Sequence, residues 1–183
     1  MIKLVTNMND FQKNGYLLVP KLIDTSAYYK FFEKLLESGR GDRNDTQVPG
    51  STGFYKEVLF ERLLEHLLPK IEAHAGHDLY KTYSYARRYE LGNELKPHRD
   101  REACEITATL ALGYEGEAWP VWVEDRAKAH HSFLLQAGDA LIFRGRELLH
   151  WREENRHGPC SQVFLHYVDR HGSYAHCRDD APA

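Results

Sequence analysis

Tyr83-Ser84-Tyr85-Ala86-Arg87-Arg88-Tyr89-Glu90-Leu91-Gly92-Asn93-Glu94-Leu95-Lys96-Pro97-His98-Arg99-Asp100 is the stretch on which the reading of this 183-residue chain turns. Its tyrosine-rich first half favours a pleated strand. Gly92-Asn93 marks a turn, and a His-x-Asp pair follows on the next extended segment. Side chains alternate between faces there, so His98 and Asp100 are expected to point one way and Arg99, with Arg101, the other. An imidazole and a carboxylate are thereby offered side by side to one cation. Alone this is a weak signal, because eleven histidines and eleven aspartates in 183 residues give roughly 0.7 such tripeptides by chance.

Context strengthens it. Ala137-Gly138-Asp139-Ala140-Leu141-Ile142-Phe143 reads as a turn and a short apolar strand, and beyond a second turn through Arg144-Gly145-Arg146 stands His150. Two imidazoles and one carboxylate, with the remaining positions open, suit a non-haem Fe(II) oxygenase, whose ion must hold substrate-derived oxygens and dioxygen together. Zinc or manganese also fits these ligand types.

Tyr89-x-x-Gly92, His98-x-Asp100, Gly138 to Phe143, His150 and the strand-like Gln162-Val163-Phe164-Leu165-His166-Tyr167-Val168 occur in one order over most of the chain. With the opening Phe11-Gln12-Lys13-Asn14-Gly15-Tyr16-Leu17-Leu18-Val19-Pro20, this combination resembles the 2-oxoglutarate and Fe(II)-dependent dioxygenases. The resemblance implies a double-stranded β-helix (jelly-roll) core, with Fe(II), 2-oxoglutarate and O2 as cofactors. It also implies that His98, Asp100 and His150 are both the metal ligands and the catalytic centre. The implied reaction is hydroxylation of an aliphatic C–H bond, with succinate and CO2 as coproducts. Asp100 argues against a halogenase, since those relatives vacate the carboxylate position.

One departure concerns the cosubstrate. In many members an Arg-x-Ser beyond the second histidine holds the distal carboxylate of 2-oxoglutarate, whereas here the sequence is Gly158-Pro159-Cys160-Ser161. Ser161 matches the serine, but Pro159 or Cys160 stands where the arginine belongs. A bidentate guanidinium suits a carboxylate best. Arg152, which shares a strand face with His150, is the first candidate anchor, and Arg87, on the face of Tyr83, Tyr85 and Tyr89, is the second. The Tyr89 hydroxyl is a further donor. For either arginine the plain alternative is a surface ion pair, and Glu153 and Glu154 lie beside Arg152.

The rest of the chain reads as mainly β with supporting N-terminal helices. Tyr16 to Val19 is a strand, Asp24-Thr25-Ser26 caps a helix running to about Glu37, and Ser38 to Phe54 is a long loop, a candidate lid. A second helix spans Tyr55 to Ala75, with Leu59, Leu63, Leu67 and Ile71 at every fourth position, Gly76 as its stop and Pro69 kinking or splitting it. From Leu79 onward short strands alternate with turns. We expect one domain over 1–183, with helical support over about 24–76 and the β core over about 79–170, followed by a loose tail from Gly172 to Ala183. Trp119, Trp122 and Trp151 are candidates for the pocket lining, though aromatic strand residues are more often core. Cys104, Cys160 and Cys177 form neither a disulfide framework nor a C-x-x-C site, and Cys104 reads as a small buried hydrophobe. His66, His74 and His77 have no partner at metal spacing and read as solvent-side.

The net charge of −3 argues against a nucleic-acid partner, and no apolar run is long enough for a bilayer span. With no targeting segment at the start, the expected location is cytoplasmic. The expected partner is a small molecule, amino acid or peptide. Two other readings remain open: a cupin-like metal enzyme that does not use 2-oxoglutarate, and a non-catalytic β-sandwich binding module.

Overall fold

In a computed structural model, which describes residues 8–180, the strands form two antiparallel sheets. The larger has six strands in the order β1 (Tyr16–Val19), β8 (Ala140–Phe143), β5 (Ile106–Tyr114), β10 (Cys160–Asp169), β3 (Leu79–Tyr89) and β2 (Thr52–Tyr55). The smaller has four, in the order β4 (Leu95–His98), β9 (His150–Arg152), β6 (Val121–Glu124) and β7 (His130–Phe133). Most neighbours in the sheets are far apart in sequence, as in a jelly roll, the β6–β7 hairpin being an exception.

Alternation along the strands sorts the side chains into two layers. On β10, Val163, Leu165 and Tyr167 face a core shared with helices α2 (Ser26–Glu37) and α3 (Val58–Ala75). Phe164 and His166 face the smaller sheet. From α3 the residues Phe60, Leu63, Leu64, Leu67 and Ile71 are fully buried in that core. Each such side chain contributes roughly 1.5–3 kcal/mol. A second cluster, including Val121, Val123, Leu141 and Phe143, fills part of the space between the sheets.

Local rules explain the helix ends. Asp24 Oδ1 accepts from Ser26 N at 2.9 Å and Ser26 Oγ at 2.7 Å. Thr25 spends its hydroxyl on Leu112 O at 3.1 Å instead of capping. Gly76 closes α3 at φ 69°, where a side chain would be strained. Pro69 does not split α3, which runs unbroken over Val58–Ala75. Pro69 is on the exposed face, so the Glu65 carbonyl that loses its helical donor can bond to water. A short helix α1 (Met8–Asn14) precedes β1.

Two expectations need correction. The stretch 38–54 is not loop throughout, because Thr52–Tyr55 adds an edge strand to β3 and Asp42 bridges Gly53. The tail is not loose over 172–180: it contains a 3-10 turn at Ala175–Cys177, and Asp179 N donates to Lys81 O at 3.0 Å. Residues 181–183 of that tail, and the first seven residues, on which the reading of no targeting segment rests, lie outside the described residues. No described helix is long and apolar enough to cross a membrane.

Candidate metal centre and its cavity

His98 ends β4 and pairs across the sheet with His150, which opens β9, so the strand register brings the two imidazoles together. Asp100 lies past the end of β4, anchored by its N–H to Gly145 O at 2.9 Å. Asp100 Oδ1 lies 3.6 Å from His98 Nε2 and 3.3 Å from His150 Nε2. The three ligand atoms fall within 4.8 Å of one another.

The backbone fixes both tautomers. His98 Nδ1 lies 2.9 Å from Lys96 O, and His150 Nδ1 lies 3.0 Å from Leu148 O. A carbonyl only accepts, so each Nδ1 carries the proton and each Nε2 turns its lone pair towards Asp100. Two lone pairs and a carboxylate oxygen at these distances could be shared by one cation, and the donor set suits a divalent ion with open positions.

Thr107 Oγ1 lies 3.0 Å from Asp100 Oδ2 and 3.0 Å from His166 Nδ1. The carboxylate can only accept, so Thr107 donates to it and receives the Nδ1 proton of His166. Burial works against the Asp100 charge, but where the imidazoles carry Nε2 protons in place of a shared cation, hydrogen bonding and charge from His150 and a hydrogen bond from His98 outweigh it and hold the carboxyl far below its usual range. His166 is buried, and desolvation drops its pKa to about 4, leaving it neutral. Gly145 leaves the space that this arrangement needs: a Cβ there would come within 2.3 Å of Asp100 Oδ2 and 2.5 Å of Cys104 O.

These groups open onto a cavity of about 470 Å³. Tyr83, Tyr85, Arg87 and Tyr89 line it from β3, as their shared face requires. Arg87 is paired with Asp45, and its Nη1 donates to Tyr89 Oη at 3.3 Å. Arg152 is 1% exposed, lies over the Trp119 ring at 4.8 Å and the Tyr89 ring at 5.7 Å, and donates from Nη1 to Trp119 O at 2.5 Å. Its Nη2 is buried with no partner among the described residues. Arg152 lines the cavity, and a buried guanidinium nitrogen without a partner is costly unless a ligand completes it.

No family model matches this sequence, and no curated protein does. Solved structures do match. The chain is similar to the non-haem α-ketoglutarate-dependent epimerase SnoN of nogalamycin biosynthesis, with a TM-score of 0.76 and 18% identity over 88% of this chain and 79% of that one. A prolyl-4-hydroxylase from Pseudomonas putida gives a TM-score of 0.72 at 14% identity, over 89% and 97% of the two chains. HygX from Streptomyces hygroscopicus, solved with nickel and 2-oxoglutarate bound, gives 0.71 at 15%, over 93% and 89%. The fold is that of the 2-oxoglutarate oxygenases. At these identities the likeness is one of fold.

Within this oxygenase fold several expectations change. Ser161 is on the helix side of β10, where its Oγ accepts from Arg88 Nη1 at 3.1 Å beside Glu33. On the opposite face, Gln162 Oε1 accepts from Thr109 at 2.8 Å. The strand that bears the usual arginine therefore offers none to the cavity, and Arg152 on β9 comes in from the facing sheet. Arg99 and Arg101 both line the cavity, contrary to strict alternation, because β4 ends at His98 and the chain turns. None of the three tryptophans lines it. Trp119 lies behind Tyr89 and Arg152, while Trp122 and Trp151, whose strand neighbours are buried, stack on the outer face at 5.9 Å.

The loop before β2 does reach the site: Asp45 and Gln47 line the cavity wall, and Tyr85 Oη donates to Asp45 Oδ2 at 3.2 Å. Cys104 is buried as expected, 3.0 Å from Tyr83 Oη, and also lines the cavity. Thr107, His166, Gly145 and Asp45 were not anticipated from sequence. The Thr107-x-Thr109 alternation in an otherwise apolar strand was the available signal for the first of them.

Proposed function

We propose that this chain is a 2-oxoglutarate- and Fe(II)-dependent oxygenase that hydroxylates an aliphatic C–H bond of a small molecule, amino acid or peptide. The observation that carries the reading is the unpartnered Nη2 of buried Arg152 on the same cavity as His98, Asp100 and His150. A facial set of two imidazoles and one carboxylate leaves positions for an oxygen-donor chelate. A buried fork then answers that cosubstrate's far carboxylate. When bound, the iron and its cosubstrate supply the oxidising power and the dioxygen-derived oxygen for C–H cleavage.

The protein's own part is positional. His98 and His150 present Nε2 because Lys96 O and Leu148 O hold Nδ1. Asp100 presents Oδ1 because Thr107 holds Oδ2. Arg152 and Tyr89 would take the distal carboxylate, with Trp119 fixing the plane of the fork. Arg87 serves instead as the anchor for Asp45, which closes the wall. The aromatic faces of Tyr83, Tyr85 and Phe164 keep water from the reacting end. Fold neighbours named as an epimerase, a carbocyclase and a hydroxylase indicate that C–H chemistry on this fold has several outcomes. Hydroxylation is the simplest that the retained carboxylate ligand allows.

The test is anaerobic titration with Fe(II) and 2-oxoglutarate, following the visible charge-transfer band of the chelate. The band should form in the wild type, weaken at least tenfold in cosubstrate affinity in Arg152→Met, and persist in Arg87→Met. No band in the wild type would favour a metal enzyme that ignores 2-oxoglutarate or a binding module. An undiminished band in Arg152→Met would move the anchor elsewhere.

A further inference from the structure

Four guanidinium groups line the cavity, and two of them hold a carboxylate supplied by the chain itself. Arg87 holds Asp45, and Arg101 holds Asp180. The second pair is the informative one. Arg101 follows Asp100 directly, lies over the Tyr83 ring at 4.7 Å, and divides its fork between both Asp180 oxygens, with Nη1 3.2 Å from Oδ1 and Nη2 on Oδ2. Tyr55 Oη adds a donor to Oδ2 at 3.2 Å, and Lys56 Nζ donates to the Asp180 main-chain carbonyl. Arg101, Tyr55 and Tyr83 all line the cavity. This is a ready-made carboxylate seat with an aromatic floor, filled by a residue that arrives from beyond β10.

We propose that Arg101, Tyr55 and Tyr83 form a carboxylate-recognition subsite, that Asp180 is its internal occupant, and that the substrate carries a carboxylate which takes Asp180's place. Only the word substrate rests on the oxygenase reading; the carboxylate seat does not. The occupant is exchangeable for a physical reason. Arg101 is 53% exposed, so its pairing with Asp180 is screened by water and salt, while the planar fork stays pre-organised over Tyr83 whichever acid it holds. The seat is also separate from the cosubstrate anchor. Arg152 packs on Tyr89 and Arg101 on Tyr83, six residues apart along β3, a separation of about 20 Å at strand rise.

The experiment uses ¹⁹F NMR with 4-fluorophenylacetate as probe and 4-fluorophenylacetamide as its uncharged twin. The full chain is loaded with Zn(II), with and without saturating 2-oxoglutarate. The acid should bind Asp180→Asn at least tenfold more tightly than the wild type. It should lose that gain when Arg101→Met is added, and weaken two- to fivefold when Tyr55→Phe is added instead. The amide should bind none of them. Equal affinity of the acid for wild type, Asp180→Asn and the Arg101→Met double variant would overturn the proposal. So would equal binding of acid and amide. Melting temperature and zinc content of each variant show that the fold is retained. Failure of the cosubstrate reading would appear separately, as a missing Fe(II)–2-oxoglutarate band in the wild type.

Discussion

Thr107 has one hydroxyl proton, and Asp100 takes it. Replacing it with valine keeps the shape but leaves a buried carboxylate oxygen without its donor. We expect Thr107→Val to weaken Co(II) affinity about 10- to 100-fold in a chelator-competition titration, the usual scale for partners behind a ligand. Thr107→Ser should recover it to within a few-fold. A valine variant with unchanged affinity would deny Thr107 any part in orienting Asp100. His166 gives a prediction of opposite character. Its folded pKa of about 4 lies below its ordinary 6.5, so between those values the unfolded chain binds a proton that the folded chain refuses. Stability of the metal-free protein should therefore fall as pH drops from 6.5 to 4, by about 3 kcal/mol in all, and then level off with respect to this group. Denaturant melts across that range should flatten in His166→Gln. The three candidate ligands were legible in sequence because residue type and spacing carry them. Thr107 and His166 were not, since they act only through Asp100 and nothing along the chain links them to it.

At the scale of the element, the turn between β8 and β9 matters more than its sequence suggests. Arg144-Gly145-Arg146 looks like an ordinary polar turn, yet Gly145 borders the Asp100 carboxylate and the Cys104 carbonyl. Gly145→Ala should displace the carboxylate and lower metal affinity at least tenfold, while costing only about 1–3 kcal/mol in stability by overpacking. Isothermal titration beside a denaturant melt separates the two effects, and full affinity in the alanine variant would refute the steric account. Strand existence was legible where the chain alternates, as at Tyr16–Val19 and His150–Arg152, or runs apolar after a turn, as at Ala140–Phe143. Alternation failed at Arg99 and Arg101, where the strand has already ended. It failed again at Thr52–Tyr55, whose glycine and polar neighbours mask an edge strand.

For the molecule as a whole, the candidate metal ligands His98, Asp100 and His150 draw on both sheets. His98 and His150 belong to the smaller sheet, while Asp100 leans on Thr107 of the larger. An ion bound there should stabilise the whole fold. At Co(II) 100-fold above its dissociation constant the gain is about 2.7 kcal/mol, or roughly 5–11 °C in melting temperature for a chain of this size. Scanning fluorimetry with and without chelator measures it, and a His98→Ala variant should show no cobalt-dependent shift. The jelly-roll class was legible from the order of motifs. Arg152 was legible as a candidate anchor from the strand face it shares with His150, whereas the burial of its Nη2 without a partner among the described residues was not, because that is a property of packing.

The short outer strand Thr52–Tyr55 has a consequence for handling the protein. It runs beside only part of an eleven-residue strand rich in tyrosine, and it is tethered through the same exposed loop that carries Asp45. A single proteolytic nick in that loop would free the outer strand and leave a long row of amide and carbonyl groups open to a second molecule. Clipped material should then self-associate in concentrated stocks well before it unfolds.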